Sequence, residues 1–272
     1  MLGWLIDPFG GTIMQHALAE VLVLSLACGP LGVWILLYRD AYAAESMSHG
    51  MLPGLVVAAL AGAPLLVGAA GGVLVAAAGI ALVARDERLG GDIGVAVCVS
   101  ALFGLGAMLA LSPAAPPRLQ ELLFGDLLGV TTADLLAAGA LVVGVGLGLA
   151  AWARPLALAA FERASAPSLG ARPARCELVL LVLLAVTTVA AVQGLGNLLL
   201  FALIVAPAAA ALRLGRHLRT VLALAAGLAA LAGVAGLLVS FHLGIATGAS
   251  VALCALVPAF AAMLVPARVR RR

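Results

Sequence analysis

A polar stretch at residues 39–54 interrupts a chain that is otherwise strongly apolar, and it holds a carboxylate and an imidazole at a spacing that could bind a metal ion. Glu45 and His49 are four residues apart, so on a helix they lie one turn apart on the same face. A carboxylate oxygen and an imidazole nitrogen placed in this way can share one divalent transition-metal ion. The alternative is an ion pair or a cap at the start of a helix. Pro53 and Gly54 follow, and they predict a kink in the next helix.

Composition indicates that membrane helices position this stretch. Of the 272 residues, 65% are apolar and 10% are charged, whereas soluble domains have about 45–50% apolar and about 25% charged residues. The four cysteines are scattered and predict neither a disulfide framework nor a thiolate metal site. The formal net charge of +3 gives no reason to expect a nucleic-acid partner. The surroundings that the apolar composition predicts are lipid.

Nine apolar runs are long enough, or nearly so, to cross a bilayer, since a helix needs about 20 residues to span roughly 30 Å of hydrocarbon. We therefore predict an all-α, polytopic membrane protein, a single transmembrane domain over residues 1–272, with about nine spans and between eight and ten. The joins at residues 62–64 and 193–197 could be tight hairpins or breaks within re-entrant helices. The predicted spans are 16–38, 47–62, 65–84, 93–112, 133–153, 177–193, 195–212, 220–241 and 245–266.

The basic residues predict the orientation. Threading nine spans with the C-terminus in the cytoplasm places all 15 basic residues except Arg118 on the cytoplasmic side. Cytoplasmic loops of membrane proteins carry an excess of arginine and lysine. This bias favours a multi-pass membrane protein with its N-terminus outside and its C-terminus in the cytoplasm.

The other histidines are further candidates. By this threading, His242 lies near the outer face, where it is either an entrance ligand for a metal ion or a satisfied interfacial histidine. His16 and Glu20 repeat the four-residue spacing at the outer end of a helix and could also bind metal. His217 lies in a basic cytoplasmic turn, and we predict a solvated surface residue there.

The longest cytoplasmic segment, residues 154–175, could dock a soluble partner. Residues 161–170 fit a short amphipathic helix that ends at Gly170 and presents Phe161 and Leu169, with flanking charge, to a cytosolic protein. The alternative is an ordinary solvated basic loop.

The 39–54 stretch resembles the signature Gly-Asp-Ala-x-Ser-His-x-x-Leu-Pro-Gly of the permease subunits of zinc/manganese-type ABC transporters. The part Ser-His-x-x-Leu-Pro-Gly is present as residues 48–54. Glu45 stands in place of the Asp, and Ala44 in place of the Gly. In that family the acidic residue and the His are metal ligands in the translocation path. The resemblance therefore implies this role for Glu45 and His49.

Four more stretches resemble that family, in the same order along the chain. Residues 92–94 resemble its Asp-Thr-Ala-x-Gly, residues 123–126 its Leu-Phe-Gly-Asp, and residues 203–211 its Leu-Leu-Ile-x-Pro-Ala-Ala-x-Ala. Residues 161–170 are similar to its coupling segment, Phe-Asp-Pro-x-x-Ala-x-x-Leu-Gly, which implies contact with an ATPase subunit. The corresponding positions that we assign to ATPase coupling are Phe161, Glu162, Ala166, Leu169 and Gly170.

The resemblance implies a homodimeric permease that imports zinc or manganese, with iron as a further option, and that holds no cofactor stably. It also implies two partners, a cytosolic ATP-binding subunit and an extracytoplasmic metal-binding protein. The chain has no Lys and therefore no Gly-x-x-x-x-Gly-Lys-Ser/Thr phosphate-binding loop. We therefore expect a transport subunit that is not an enzyme, with ATP hydrolysis on a partner chain.

Three other functions stay open. A secondary cation transporter or channel would work without an ATPase. A siderophore or cobalamin ABC permease would share the coupling segment, but it would be expected to be longer and to lack the 48–54 motif. An intramembrane metalloenzyme would need a ligand set such as His-Glu-x-x-His on a span, and that motif is absent from the sequence.

Overall fold

The computed structural model describes residues 7–83, 91–112 and 127–264, and in these ranges the chain is helical and contains no β-strand. The all-α prediction is therefore confirmed for this part of the chain. Nine α-helices lie there, together with two short 3-10 turns at Asp7–Gly10 and Leu127–Gly129. The helices are α1 (Thr12–Tyr38), α2 (Ala41–Gly50), α3 (Leu52–Ala61), α4 (Leu65–Val83), α5 (Gly91–Ala110), α6 (Thr132–Phe161), α7 (Pro173–Leu214), α8 (Leu218–Leu243) and α9 (Thr247–Leu264).

Five helical segments of the described chain are long and apolar enough to cross a membrane. They are α1, α6, the first part of α7 (Pro173–Ala191), α8 and α9. Shorter apolar stretches lie in α4, in α5 and at the end of α7. These segments are compatible with a polytopic membrane protein, and the count of nine spans stays a prediction.

The second predicted span is divided into two helices, α2 and α3, at Met51. Pro53 lies in the first turn of α3, where its nitrogen has no hydrogen to donate to the carbonyl oxygen of His49. Helix α3 is followed by Gly62, whose left-handed φ of 65° suits the tight turn into α4. The first uncertain join is therefore a tight turn between two helices that pack on each other.

The second uncertain join, residues 193–197, lies inside α7, which is helical without interruption from Pro173 to Leu214. The 42 residues of α7 would extend about 63 Å if straight, roughly twice the hydrocarbon thickness of a bilayer. Its contacts with α1 show that α7 is not straight, because Cys176 interacts with Tyr38, Gly194 lies against Glu20, and Ile204 lies against Gly32. Helix α7 therefore runs antiparallel to α1 before Gly194 and parallel to it by Ile204, and this reversal is compatible with the two predicted spans.

Helix α1 lies at the centre of the main bundle and packs against α6, α7 and α8. A Cβ on Gly32 would overlap the carbonyl group of Ile204 in α7, and a Cβ on Gly29 would meet the backbone of Ala225 in α8. Such small residues allow close contact between helices in lipid, where van der Waals packing holds helices together. Helices α2 to α5 form a smaller group that joins the bundle through contacts of α2 and α4 with α7.

Candidate metal site and docking segment

An arginine in an uncommon backbone conformation lies just before α2. Arg39 follows the last residue of α1 with φ 63°, in the left-handed region, and its N–H contacts the carbonyl oxygens of Ile35 and Leu36. This region costs a residue with a Cβ about 1 kcal/mol or more, so the surrounding contacts must hold the turn in place. The turn leads directly into α2, where Tyr42 and Glu45 lie in the first two turns.

Glu45 and His49 lie on one face of α2, as their spacing predicts. The Nε2 atom of His49 is 4.0 Å from Oε1 of Glu45, and the two side chains are 23% and 43% exposed, respectively. The His49 ring also makes a T-shaped contact with Phe103 of α5, with ring centroids 5.1 Å apart. Two ligands of one metal ion stand about 3 Å apart, so a small rotation of either side chain would let both reach the same ion.

A cavity of about 640 Å³ adjoins Glu45 where three helices meet. Tyr42 and Glu45 of α2 line it with Val97 of α5 and Phe201 of α7, and Arg39 borders it at the turn before α2. Among the described residues that line this cavity, Glu45 is the only acid. A cation in the cavity would therefore have one carboxylate available to it.

Further ligands are scarce near this pair. Ser46 uses its hydroxyl to donate a hydrogen bond to the carbonyl oxygen of Tyr42 at 2.6 Å, so the hydroxyl is engaged within α2. The side chain of Ser48 lies outside the described part. Within residues 7–83, 91–112 and 127–264, no three His, Cys, Asp or Glu side chains come together as a set that could hold a metal ion. Structural and catalytic metal sites commonly use about four ligands, so the pair on one chain is half of such a set.

The structure does not bring the other candidate histidines to this pair. His242 lies in the last turn of α8, and its exposed ring makes a T-shaped contact with Phe241. Its role as an entrance ligand stays a prediction. His217 is exposed directly before α8, as the sequence predicts. His16 and Glu20 lie on α1 and, in the described ranges, do not combine with the pair into a larger set of ligands.

The predicted docking segment consists of turns and not of the amphipathic helix that we expected. Helix α6 continues to Phe161, and residues 163–170 form successive turns. Pro167 has no N–H to donate to the carbonyl oxygen of Arg163, which interrupts a helical hydrogen-bond pattern at the centre of the segment. Gly170, where we predicted that helix to end, is the last residue of these turns and has a left-handed φ of 84°.

Apolar side chains of the docking segment face outward while its centre is buried. Phe161 is 58% exposed and Leu169 is 57% exposed, and Glu162 is exposed as well. Ala166 is fully buried, and its carbonyl oxygen accepts the N–H of Ala171 at 2.9 Å. Phe161, Glu162 and Leu169 therefore form the exposed surface of this segment, and Ala166 lies beneath it.

The remaining motif stretches are only partly described. Helix α5 begins at Gly91, but the side chain of Asp92 and residues 123–126 lie outside the described part. Residues 203–211 belong to α7, where Leu203 and several of the alanines are buried in the bundle. This stretch therefore contributes packing against neighbouring helices.

The sequence did not predict two aromatic neighbours of the candidate site. Phe103 contacts His49, and Phe201 lines the cavity beside Glu45. Only 4% of the residues are aromatic, and this rarity could have marked Phe103 and Phe201 as candidates for the site. The sequence gives no means of pairing α5 and α7 with α2, however, and only the folded chain brings them together.

The described part of the chain is all-helical and has several segments that could cross a membrane. It carries a carboxylate and imidazole pair beside a cavity and exposed apolar side chains at and after the end of α6. The model of the ABC 3 transport family matches residues 11–266. The chain belongs to the ABC 3 transport family.

Curated relatives and a solved structure match nearly the whole chain. The manganese transport system membrane protein MntC of Halalkalibacterium halodurans is 31% identical over 243 residues, 89% of this chain and 83% of that protein. The chelated iron transport system membrane protein YfeC of Yersinia pestis is 29% identical over 248 residues, 91% of this chain and 84% of that protein. In the structure of PsaBC from Streptococcus pneumoniae in complex with Fab, one chain matches with a TM-score of 0.88 and 25% identity, over 97% of this chain and 96% of that chain.

Proposed function

We propose that this chain is the permease subunit of an ABC importer that moves a divalent transition-metal ion across the bacterial cytoplasmic membrane. The observation that carries this proposal is the Glu45 and His49 pair beside the cavity, in a chain of the ABC 3 transport family. The metal ion is the substrate, and the proposal includes no stably bound cofactor.

Manganese and iron are the substrates that we favour. Relatives of this chain are named for manganese transport and for chelated iron transport. A carboxylate with an imidazole suits Mn²⁺, Fe²⁺ and Zn²⁺ alike, so the ligand types leave zinc as the third choice. In the described ranges no cysteine joins the pair. The pair therefore lacks the soft thiolate ligands that favour retention of zinc.

Two copies of the chain would complete the metal site. One chain supplies one carboxylate and one imidazole. A homodimer in which the two α2 helices face each other would supply two of each, which gives the four ligands that a transition-metal ion commonly takes. The exposure of Glu45 leaves its carboxylate accessible to such a shared ion.

A separate ATP-binding subunit would drive transport through the docking segment. Exposed Phe161 and Leu169 supply an apolar contact surface at the end of α6. Arg163 fixes the segment to the start of α7, because its Nη2 atom donates a hydrogen bond to Oε1 of Glu177 at 2.6 Å. The chain has no lysine for a phosphate-binding loop, so we assign it transport and assign ATP hydrolysis to the partner.

We also propose one domain over residues 1–272 with nine spans, the N-terminus outside and the C-terminus in the cytoplasm. His16, near the start of α1, contacts the carbonyl oxygen of Val130 just before α6, whereas Tyr38 at the end of α1 contacts that of Leu156 near the end of α6. The first turns of α1 thus lie at the end of the bundle opposite to the docking segment. An extracytoplasmic metal-binding protein would deliver the ion at this opposite end.

Metal uptake by whole cells tests this function. Bacteria that lack their own importers would express the chain with its ATPase and binding-protein partners, and would be given radioactive manganese, iron or zinc ions. We expect uptake of manganese or iron that requires all three proteins. Uptake that continues without the ATPase would contradict the proposal and favour a secondary transporter. Uptake of iron only as an organic chelate would favour a siderophore permease.

A further inference from the structure

A buried carboxylate on α1 lies outside the site described above. Glu20 is only 3% exposed, and its Oε2 atom has no hydrogen-bond partner among the described residues. The ion pairs of the described part join Glu45 to His49 and Arg163 to Glu177, so no basic side chain there pairs with Glu20. An ionised carboxylate within a membrane span is costly unless a cation compensates for it.

The neighbours of Glu20 leave space at its carboxylate and add negative charge. Gly194 of α7 lies against it, and a Cβ at that position would overlap Oε1 of Glu20. Asp134, in the first turn of α6, interacts electrostatically with Glu20. The Asp134 carboxylate itself accepts hydrogen bonds from the backbone N–H and the hydroxyl of Thr131, at 2.9 and 2.6 Å. The negative charge of Asp134 favours a positively charged ligand at Glu20.

His16, one helical turn before Glu20, has one ring nitrogen beside a backbone carbonyl oxygen. Its Nδ1 atom lies 3.3 Å from the carbonyl oxygen of Val130. When Nδ1 carries the proton, it donates this hydrogen bond and Nε2 keeps a lone pair. Metal-binding histidines commonly have this arrangement, in which a carbonyl oxygen holds one ring nitrogen while the other binds the ion.

From these contacts we propose that Glu20 and His16 form a second, transient site for the divalent metal ion that the chain transports. This inference rests on the proposed function. The site lies toward the end of the bundle opposite to the docking segment, so an incoming ion occupies it before it reaches Glu45 and His49. In the described part no third His, Cys, Asp or Glu completes the set, which suits a site that must release its ion rapidly.

Equilibrium binding of Mn²⁺ to the complete permease complex in lipid nanodiscs tests this site directly. Free Mn²⁺ would be counted from its electron paramagnetic resonance signal, with Glu45→Gln and His49→Ala both present so that the first site is disabled. We expect residual Mn²⁺ binding that weakens about tenfold or more when Glu20→Gln or His16→Asn is added. Absence of residual binding, or residual binding that Glu20→Gln leaves unchanged, would overturn the proposal.

A matched control separates loss of a ligand from loss of packing. Ser25→Ala also removes a buried polar group from α1, a hydroxyl that donates to the carbonyl oxygen of Val21 at 2.6 Å, and it should leave residual Mn²⁺ binding unchanged. Glu20→Gln keeps the size of the side chain and removes a buried charge, so its thermal unfolding should occur no lower than that of the wild type. Residual binding that falls equally in Ser25→Ala would contradict a specific role for Glu20.

Transport kinetics distinguish this site from the proposed function as a whole. In otherwise unaltered chains, Glu20→Gln should raise the KM for Mn²⁺ about tenfold and leave the maximal rate of ATP-driven uptake close to that of the wild type. Failure of the wild type to transport any of the three ions would contradict the proposed function. Wild-type transport, together with an unchanged KM in Glu20→Gln, would contradict only the second site.

Discussion

The hydroxyl of Tyr38 donates a hydrogen bond to the carbonyl oxygen of Leu156 at 2.9 Å and so joins the last turn of α1 to the last turns of α6. Tyr38 directly precedes the Arg39 turn that leads to Glu45, and Leu156 precedes the exposed Phe161 by five residues. One buried hydrogen bond therefore joins the helix that precedes the proposed metal ligands to the helix that precedes the proposed docking segment. We expect a displacement of that segment to reach α2 along this path.

Replacing the tyrosine should weaken this connection. We expect Tyr38→Phe to lower the free energy of unfolding by about 1 kcal/mol, the typical net value of one hydrogen bond. It should also lower the number of metal ions transported per ATP hydrolysed, because less of the motion reaches α2. Thermal unfolding in detergent and paired measurements of uptake and ATP hydrolysis would check this. An unchanged ratio of transport to hydrolysis would contradict a coupling role for Tyr38.

Truncating the exposed apolar surface of the docking segment should weaken binding of the ATPase and spare the fold. Phe161 and Leu169 are more than half exposed, so the double variant Phe161→Ala, Leu169→Ala should unfold at nearly the wild-type temperature. Its affinity for the ATPase subunit should fall about tenfold or more, as for a central interface contact. Leu147→Ala is the control, since Leu147 of α6 is 66% exposed and lies well before the segment. Equal loss of affinity in the control would contradict a specific docking surface.

The charge of Asp40, at the turn before α2, should make stability depend on pH. Burial, and then the nearby Glu177 carboxylate, raise the pKa of Asp40 above its usual value, and the Arg163 guanidinium opposes this shift. Because the folded chain holds the proton more tightly than the unfolded chain, this contribution to stability is present below the unfolded pKa and is lost as pH rises through the folded pKa.

The neutral variant Asp40→Asn should therefore be more stable than the wild type near pH 7, and the difference should disappear as pH falls below about 4. Unfolding temperatures of both chains across this range would measure the effect. A variant that unfolds at or below the wild-type temperature at every pH would show that the ionised carboxylate is not destabilising.

Sequence patterns predicted those parts of the fold that depend on local hydropathy. The apolar run at 16–38 is the helix Thr12–Tyr38, whereas the amphipathic helix that we predicted to end at Gly170 is a series of turns. The break between α2 and α3 at Met51 was harder to predict from the sequence. Pro53 lies in the first turn of α3, where a proline is tolerated, so it does not by itself mark a break. The form of the join at 193–197 could not be predicted, because the change in direction of α7 there depends on packing against α1, which is distant in sequence.

The candidate site, too, could be predicted from the sequence only in part. Glu45 and His49 share a helix face, a relationship that sequence spacing alone predicts. The contact of His49 with Phe103 and the position of Phe201 at the cavity depend on how α2 packs between α5 and α7. Spacing within one helix carries no information about such contacts. The burial of Glu20, whose Oε2 atom has no hydrogen-bond partner among the described residues, likewise depends on the packing of α1 against α7.

The central claim is that Glu45 and His49 bind the transported ion, and uptake by chains altered at these positions alone tests it most directly. In cells that express all three proteins, we predict that Glu45→Gln and His49→Ala each lower manganese or iron uptake about tenfold or more at equal membrane levels. Glu45→Asp, which keeps the carboxylate, should retain transport. His217→Ala, which removes an exposed histidine, should transport as the wild type does. Wild-type uptake in both Glu45→Gln and His49→Ala would contradict the account.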